Sequence, residues 1–194
     1  MIFKFYSVDF ITINGPKKNS EYKKIPVVII HNRQINDSFI VVKSLARILG
    51  GSDLSPELLE LEHVTTYELM IALEVAVASS CGSLLSCARI LPCLSCVGMT
   101  LFSGCISTCG AGAFKRKFPD IKPVHHYTSV YTAALGNKPY FHGDSIGIVD
   151  LSLCGVLAVF DHAGLEVVSE FLGSQGPLLE WYRRIEPQLP NIFD

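Results

Sequence analysis

The chain has 194 residues, enough for one large domain or two small ones, and a formal net charge of −2. The only basic run, Lys115-Arg116-Lys117, is too short to suggest a nucleic-acid surface, so no nucleic-acid partner is expected. The seven cysteines are an odd number, and the N-terminus lacks the pattern of a secretory signal. These features argue against a secreted disulfide scaffold and favour an intracellular protein.

The first part of the chain, residues 1 to about 50, is predicted to be an α/β unit. Phe3–Asp9 has the composition of a strand. Val27–Ile30 is a β-branched apolar run of the kind found in buried strands. His31–Arg33 is polar and turn-prone, so Gln34–Asn36 is predicted to return as the second strand of a hairpin.

A helix is predicted to follow the hairpin. Asp37 or Ser38 can cap its N-terminus, and apolar residues at helical spacing continue to about Leu49. The glycine pair Gly50–Gly51 is expected to end it. The free N–H groups at the start of such a helix suit a carboxylate ligand, although Asp37 and Ser38 are equally typical of an ordinary cap.

Pro26 stands at the start of a strand that is predicted to be interior. Proline cannot donate a hydrogen bond to a neighbouring strand, so this position predicts a special role, such as a cis peptide bond. A cis-proline exposes the adjacent main chain for pairing with a peptide-like ligand. An ordinary proline at a strand start is the alternative for Pro26 alone. Together with Asp37 and Ser38, it predicts a binding edge.

The middle of the chain is apolar and rich in cysteine. No charged residue occurs from Ile90 to Phe114, a length of 25 residues that could span a bilayer. The glycines, Pro92 and the many small polar residues leave two interpretations open for segment 84–114. One is membrane association, and the other is a soluble pair of buried helices or an insert.

The cysteines of this segment could in principle form a metal or redox site. Cys93 and Cys96 have the CxxC spacing, and Cys105 and Cys109 could complete a set of four thiolates. The intervening residues are apolar and lack the turn chemistry of a zinc site. Small buried thiols are therefore the preferred interpretation, and no metal is expected.

The last third of the chain is predicted to be helical. Helices are expected over Val124–Leu135, from Ile148 to about His162 and over Pro177–Ile185. Gly147 takes the N-cap position of the second of these helices. Asp150 is at N3, where its side chain can bond to the cap N–H, which favours a structural role.

Three stretches of the chain resemble the glutathione S-transferase-like superfamily, and most closely its type 2 microsomal prostaglandin E synthases. They are Tyr22–Leu49, Asn137–Leu153 and Trp181–Glu186. The resemblance implies an incomplete α/β thioredoxin-like N-terminal domain over residues 1–50. It also implies an all-α C-terminal domain of the glutathione-transferase type over residues 51–194.

The resemblance further implies glutathione as the cofactor. Ile25 and Pro26 would pair with its backbone, and Asp37 and Ser38 would hold its γ-glutamyl end. The implied activity is glutathione-dependent isomerisation of prostaglandin H2 to prostaglandin E2, or a related glutathione transfer, on a small lipid-like or electrophilic substrate. A homodimer and a membrane contact are compatible with this family. The alternative function is that of a non-catalytic binding or scaffold protein.

Two features of that family have no counterpart here. Its opening strand, helix and catalytic CxxC are not found ahead of Phe3, so no catalytic residue can be assigned. This predicts either a longer natural chain, which is the preferred expectation, or a domain that has lost catalysis. The histidine expected for haem binding near residues 115–117 is also missing, which argues against haem. His125 and His126 are the nearest substitutes.

Overall fold

The structure of the protein, a computed structural model, describes residues 1–12, 26–79 and 116–190. The helices and strands of these residues are α1 (Ile2–Phe5), β1 (Val27–Ile30), β2 (Arg33–Asn36), α2 (Ser38–Gly50), α3 (Pro56–Val64), a π-helical turn (Thr65–Leu69), α4 (Met70–Ser79), α5 (Val124–Leu135), α6 (Ile148–His162), α7 (Val167–Leu172), α8 (Pro177–Ile185) and a 3-10 turn (Glu186–Gln188). The predicted hairpin and the predicted helices α2, α5, α6 and α8 are confirmed.

The two strands form an antiparallel hairpin, with Val28 opposite Ile35. His31 and Asn32 connect them and have φ values of 49° and 61°, as in the primed turns that match the twist of a hairpin. Val28 and Ile35 pack against the core, whereas Ile29 points away from it and is 64% exposed. One face of the hairpin is therefore partly buried, in keeping with the alternation of side chains in a strand.

The predicted strand over Phe3–Asp9 is wrong. Ile2–Phe5 form a short helical turn in which the N–H of Phe5 donates to the carbonyl of Met1 at 3.0 Å. A strand needs a neighbour for its main-chain hydrogen bonds, and none of the described residues pairs with this segment. A helical turn satisfies those groups locally while Ile2 and Phe3 still pack against the core.

Helix α2 begins at the cap Asp37 and ends at Gly51, whose φ of 75° is the left-handed conformation that favours glycine. Its inner face packs against α6 and α3. Val42 and Leu45 on that face belong to the same core cluster as side chains of α6 and α8. The described residues on both sides of the predicted boundary near residue 50 therefore share one core.

Helix α6 is the central buried helix, and Asp150 in its first turn accepts three hydrogen bonds. The Asp150 carboxylate is fully buried. Its Oδ1 accepts the N–H of Phe141 at 3.0 Å and the indole N–H of Trp181 at 2.8 Å. Its Oδ2 accepts the N–H of Gly147 at 3.0 Å. The carboxylate thereby joins α6, the loop before it and α8.

The side chain of His142 lies against Gly147, a contact that was not predicted from the sequence. A Cβ at position 147 would fall within the ring of His142. The Nε2 of His142 accepts the N–H of Val149 at 3.4 Å. This is the kind of bond that a serine or threonine cap would otherwise make to the second residue of the helix. Partial burial lowers the pKa of His142, which favours the neutral, accepting form.

We expect Asp150→Asn to lower the free energy of unfolding by about 3 kcal/mol, because an amide would turn a donor toward the N–H groups that Asp150 accepts. Urea unfolding followed by the fluorescence of Trp181, the one tryptophan of the chain, measures the change. Asp144→Asn, in the exposed part of the same loop, is the control and should change stability by less than about 0.5 kcal/mol. Equal effects of the two substitutions would contradict the bonding role of Asp150.

Gly147→Ser is expected to destabilise the protein by about 1–2 kcal/mol, because the new side chain displaces the ring of His142. In the background His142→Ala the same substitution should be neutral or stabilising, since a serine can then cap α6 itself. A double-mutant cycle measured by urea unfolding tests this coupling. Equal effects of Gly147→Ser in both backgrounds would rule it out.

Candidate functional site

The hairpin register brings two of the predicted site residues to the same end of the sheet. Val27 and Asn36 form the last pair of the ladder, so Pro26 and Asp37 flank that pair on the two strands. Pro26 is exposed at this end. Ile25, the third residue predicted for this edge, lies outside the described residues, as does the predicted cis peptide bond between Ile25 and Pro26.

Asp37 has a backbone conformation that residues with a side chain rarely adopt, with φ 77° and ψ 125°. Such a conformation costs about 1–3 kcal/mol and occurs preferentially at ligand-binding and active sites. Its Oδ1 accepts the N–H of Phe39 at 3.0 Å and the hydroxyl of Tyr67 at 2.6 Å. Because both bonds fall on Oδ1, Oδ2 is the oxygen that can face a cationic group.

Ser38 is the first residue of α2 and is partly buried beside Asp37. The first N–H groups of a helix have no partner within the helix, and the helix dipole makes this end electropositive. The main chain and hydroxyl of Ser38 therefore suit an anion, while the carboxylate of Asp37 suits a cation. The pair offers complementary contacts to a ligand that carries both an ammonium and a carboxylate group.

Three rings lie next to this pair. The ring centroids of His63 and Tyr67 are 4.8 Å apart. The ring centroid of Phe39 lies 5.6 Å from that of His63 and 5.8 Å from that of Tyr67. Partial burial, and then the bond to Asp37, raises the pKa of Tyr67 to about 12. At neutral pH its phenol is therefore a hydrogen-bond donor and not a base. Sequence reasoning missed this cluster, because Tyr67 and Asp37 are 30 residues apart.

Tyr67 is carried by the π-helical turn Thr65–Leu69. Such turns add a residue to a helix and often occur at functional sites. Thr65 is fully buried, donates to the carbonyl of Leu61 at 2.9 Å and shares a 2.6 Å hydrogen bond with the hydroxyl of Tyr131. These bonds join the turn to α5 and hold the segment from which Tyr67 reaches Asp37.

Glu62, at the end of α3, is a fully buried carboxyl group. Its Oε1 accepts the hydroxyls of Thr66 at 3.1 Å and of Ser152 at 2.8 Å. Its Oε2 has no hydrogen-bond partner among the described residues. Burial raises the pKa of Glu62 to about 7, against the bonds from Ser152 and Thr66 that lower it. The carboxyl group is therefore held protonated over a wide range below neutral pH.

A second concave surface lies between β2 and the outer face of α2. It encloses about 1160 Å³ and is lined by Ile30, His31, Arg33, Gln34, Ile35, Phe39, Ile40, Lys43, Ser44, Arg47, Ile48 and Asp53. We call it the α2 groove. Pro26, Asp37 and Ser38, the three described residues among those predicted to bind glutathione, do not line it, so the groove differs from the edge at Pro26 and Asp37.

Among the described residues, the other candidates from the sequence do not join either surface. Cys154 is the only cysteine among the described residues, and burial raises the pKa of its thiol well above the ordinary value. The remaining cysteines lie outside the described residues. His125 and His126 are exposed in the first turn of α5. In the described parts of the chain, no three metal-ligating side chains converge.

The apolar segment 84–114, for which membrane association was one interpretation, also lies outside the described residues. Among the helices of residues 1–12, 26–79 and 116–190, none has both the length and the apolar character needed to cross a bilayer.

Comparison of the chain with protein-family models, with curated proteins and with solved structures finds no match.

Stability should depend on pH through Glu62. Its pKa of about 7 in the folded protein lies above the ordinary value of 4.5, so its stabilising contribution is complete below pH 4.5 and is lost as the pH rises through about 7. Glu62→Gln mimics the protonated form and should abolish this loss, which is at most about 3 kcal/mol.

Urea unfolding at pH values between 4.5 and 8 measures this difference for both proteins. Glu60→Gln, an exposed carboxylate on the same helix, is the control and should keep the wild-type slope. His142 contributes an opposite slope below about pH 6.5, because its pKa is lowered in the folded protein. The test is therefore the difference between Glu62→Gln and wild type. Parallel curves would exclude a raised pKa at Glu62.

Proposed function

We propose that this protein binds glutathione at the edge formed by Pro26, Asp37 and Ser38, as a member of the glutathione-transferase-like group that its sequence resembles. The observation that carries the proposal is the strained Asp37 at the start of α2. A strained backbone conformation of this kind persists where a functional site requires a particular orientation of the residue. Here it places a carboxylate and a helix N-terminus side by side at the exposed end of a hairpin.

The chemistry of this edge matches the γ-glutamyl end of glutathione. The ligand ammonium would face Oδ2 of Asp37, and its carboxylate would face the hydroxyl and N–H of Ser38. The main chain before Pro26 would pair with the cysteinyl part of the ligand, as the resemblance implies for Ile25. The rings of Tyr67 and His63 would form a wall beside the ligand.

The enzymatic form of the proposal is an isomerase that converts prostaglandin H2 to prostaglandin E2, or a related glutathione transferase. In the isomerase, a thiolate attacks one endoperoxide oxygen, an S–O bond forms and the O–O bond breaks, and the other oxygen leaves as an alkoxide that takes up a proton to become a hydroxyl group. Removal of the C–H proton then forms the ketone, while the S–O bond breaks and the thiolate is released. The thiol is regenerated and the reaction requires no further oxidant or reductant.

The alternative, a non-catalytic glutathione-binding protein, is favoured by a specific observation. Among the described residues, the only cysteine is buried with a raised pKa, and the phenol of Tyr67 has a pKa of about 12. At neutral pH the Cys154 thiol is therefore not a nucleophilic thiolate, and the phenol of Tyr67 is not a base that could take the proton of a ligand thiol. This supports the proposal that the edge binds glutathione without Cys154 or Tyr67 acting as nucleophile or base.

Isothermal titration of the full chain with glutathione tests the proposal. Asp37→Asn tolerates the positive φ and keeps a capping oxygen, but it removes the charge. We expect it to weaken binding about tenfold, as the loss of a charged hydrogen bond of about 1.4 kcal/mol does. Ser38→Ala should also weaken binding, whereas Ser55→Ala, at the N-cap of α3, should not.

The outcomes separate the two functions. Binding that depends on Asp37, together with turnover of prostaglandin H2 or of an electrophile such as chlorodinitrobenzene, would support the enzyme. Binding with the same dependence but no turnover would support the binding protein. No heat of binding at millimolar glutathione, or equal binding by wild type and Asp37→Asn, would refute both.

A further inference from the structure

We propose that the α2 groove is a docking site for an extended, acidic peptide segment of a partner protein, anchored by two aliphatic side chains four positions apart. The groove is open and lies between β2 and the outer face of α2. Its inner neighbours on α2, such as Val41 and Leu45, are buried in the core. The same helix therefore supports the core with one face and presents the groove with the other.

The charges that line the groove are mostly positive. Arg33, Lys43 and Arg47 are its cations, and Asp53 is its one acid. Arg47 and Asp53 neutralise each other through two hydrogen bonds of 2.9 Å and 2.6 Å. Arg33 and Lys43 form no ion pair with the described residues. Lys43 also acts electrostatically on Asp53, but three cations against one acid leave the groove with a net positive charge on a chain of net charge −2, which is complementary to an acidic partner.

Two aliphatic side chains interrupt the charged outer face of α2. Ile40 is 49% exposed and Ile48 is 52% exposed. They are eight residues apart on the helix, which corresponds to about 12 Å along its axis. Side chains four residues apart on one face of an extended chain are separated by about 13 Å. An extended peptide can therefore place one apolar residue on each isoleucine while its acidic residues face Arg33 and Lys43.

An edge strand beside the groove favours a peptide over other acidic partners. β2 pairs with β1 on one side only among the described residues. Because the pairs of an antiparallel ladder alternate, the main-chain N–H and carbonyl groups of Gln34 point away from β1. These groups can pair with an added strand, as in β-augmentation. A concave groove of this kind would contact a flat lipid surface poorly.

Charge also argues against occupants from this chain. Residues 13–25 contain four lysines and one glutamate, so that segment would be repelled by Arg33 and Lys43. A second copy that used the same face would bring the same cations together. The complementary occupant is therefore an acidic segment of another protein.

Fluorescence anisotropy tests the proposal with a labelled peptide of sequence Asp-Leu-Glu-Asp-Glu-Leu-Asp-Glu, in which the two leucines are four positions apart. The full chain should bind it, and binding should weaken at least fivefold between 50 and 300 mM NaCl because the contacts are exposed charges. Lys43→Glu and Arg33→Glu should each weaken binding at least tenfold. Ile40→Ser and Ile48→Ser should weaken it without changing its dependence on salt.

Matched controls keep the result specific. Lys122→Glu makes the same charge change at an exposed position away from the groove and should change binding less than twofold. A peptide with lysine in place of each acidic residue should not bind. Asp37→Asn should bind the acidic peptide as wild type does, so a failure of this proposal is distinguishable from a failure of glutathione binding.

Four results would overturn the proposal. They are no binding of the acidic peptide, equal binding of the lysine peptide, equal losses for Lys122→Glu and Lys43→Glu, and cosedimentation with phosphatidylserine vesicles that depends on Lys43 while the peptide does not bind. The last result would assign the surface to a membrane and not to a peptide.

Discussion

The buried carboxylate of Asp150 holds together three parts of the chain. It accepts the N–H groups of Phe141 and Gly147 and the indole N–H of Trp181, which belong to the loop before α6, the start of α6 and helix α8. A buried carboxylate is tolerated only while its oxygens accept hydrogen bonds. Displacing one of these three elements would leave a carboxylate oxygen without its partner and would lower the stability of the protein. These hydrogen bonds fix the position of α6, and α2 and α3 pack against α6.

The candidate binding edge depends on that frame. Polar contacts link α3 and the π-helical turn after it to their neighbours: Glu62 of α3 bonds to Ser152 on α6, and Thr65 of the turn bonds to Tyr131 on α5. The hydroxyl of Tyr67 then reaches Asp37 from a fixed direction. A strained residue persists only where its surroundings determine it, and these contacts provide such surroundings.

Helix α2 presents two surfaces of different chemistry. Its N-terminus combines the carboxylate of Asp37 with the N–H and hydroxyl of Ser38, which suits a small ligand that carries both charges. Its outer face combines cations with exposed aliphatic side chains, which suits an acidic segment with apolar anchors. Both surfaces depend on the inner face of α2, because its packing against α6 fixes the position of the whole helix.

Elements whose signals are local can be predicted from the amino-acid sequence alone. The hairpin, α2, α5, α6 and α8 followed from β-branched runs, helical spacing and caps, and the bond from the N–H of the cap Gly147 to Asp150 followed from their positions in one helical turn. The bonds of Asp150 to Phe141 and Trp181 and the contact of His142 with Gly147 did not follow from a local pattern. Phe3–Asp9 was assigned wrongly, because a short apolar run forms a strand or a helical turn according to its neighbours. Only the tertiary structure decided that Tyr67 reaches Asp37 across 30 residues and that Ser152 reaches Glu62 across 90. No local pattern specifies which distant helix will face a polar side chain, since that depends on how whole buried faces pack together.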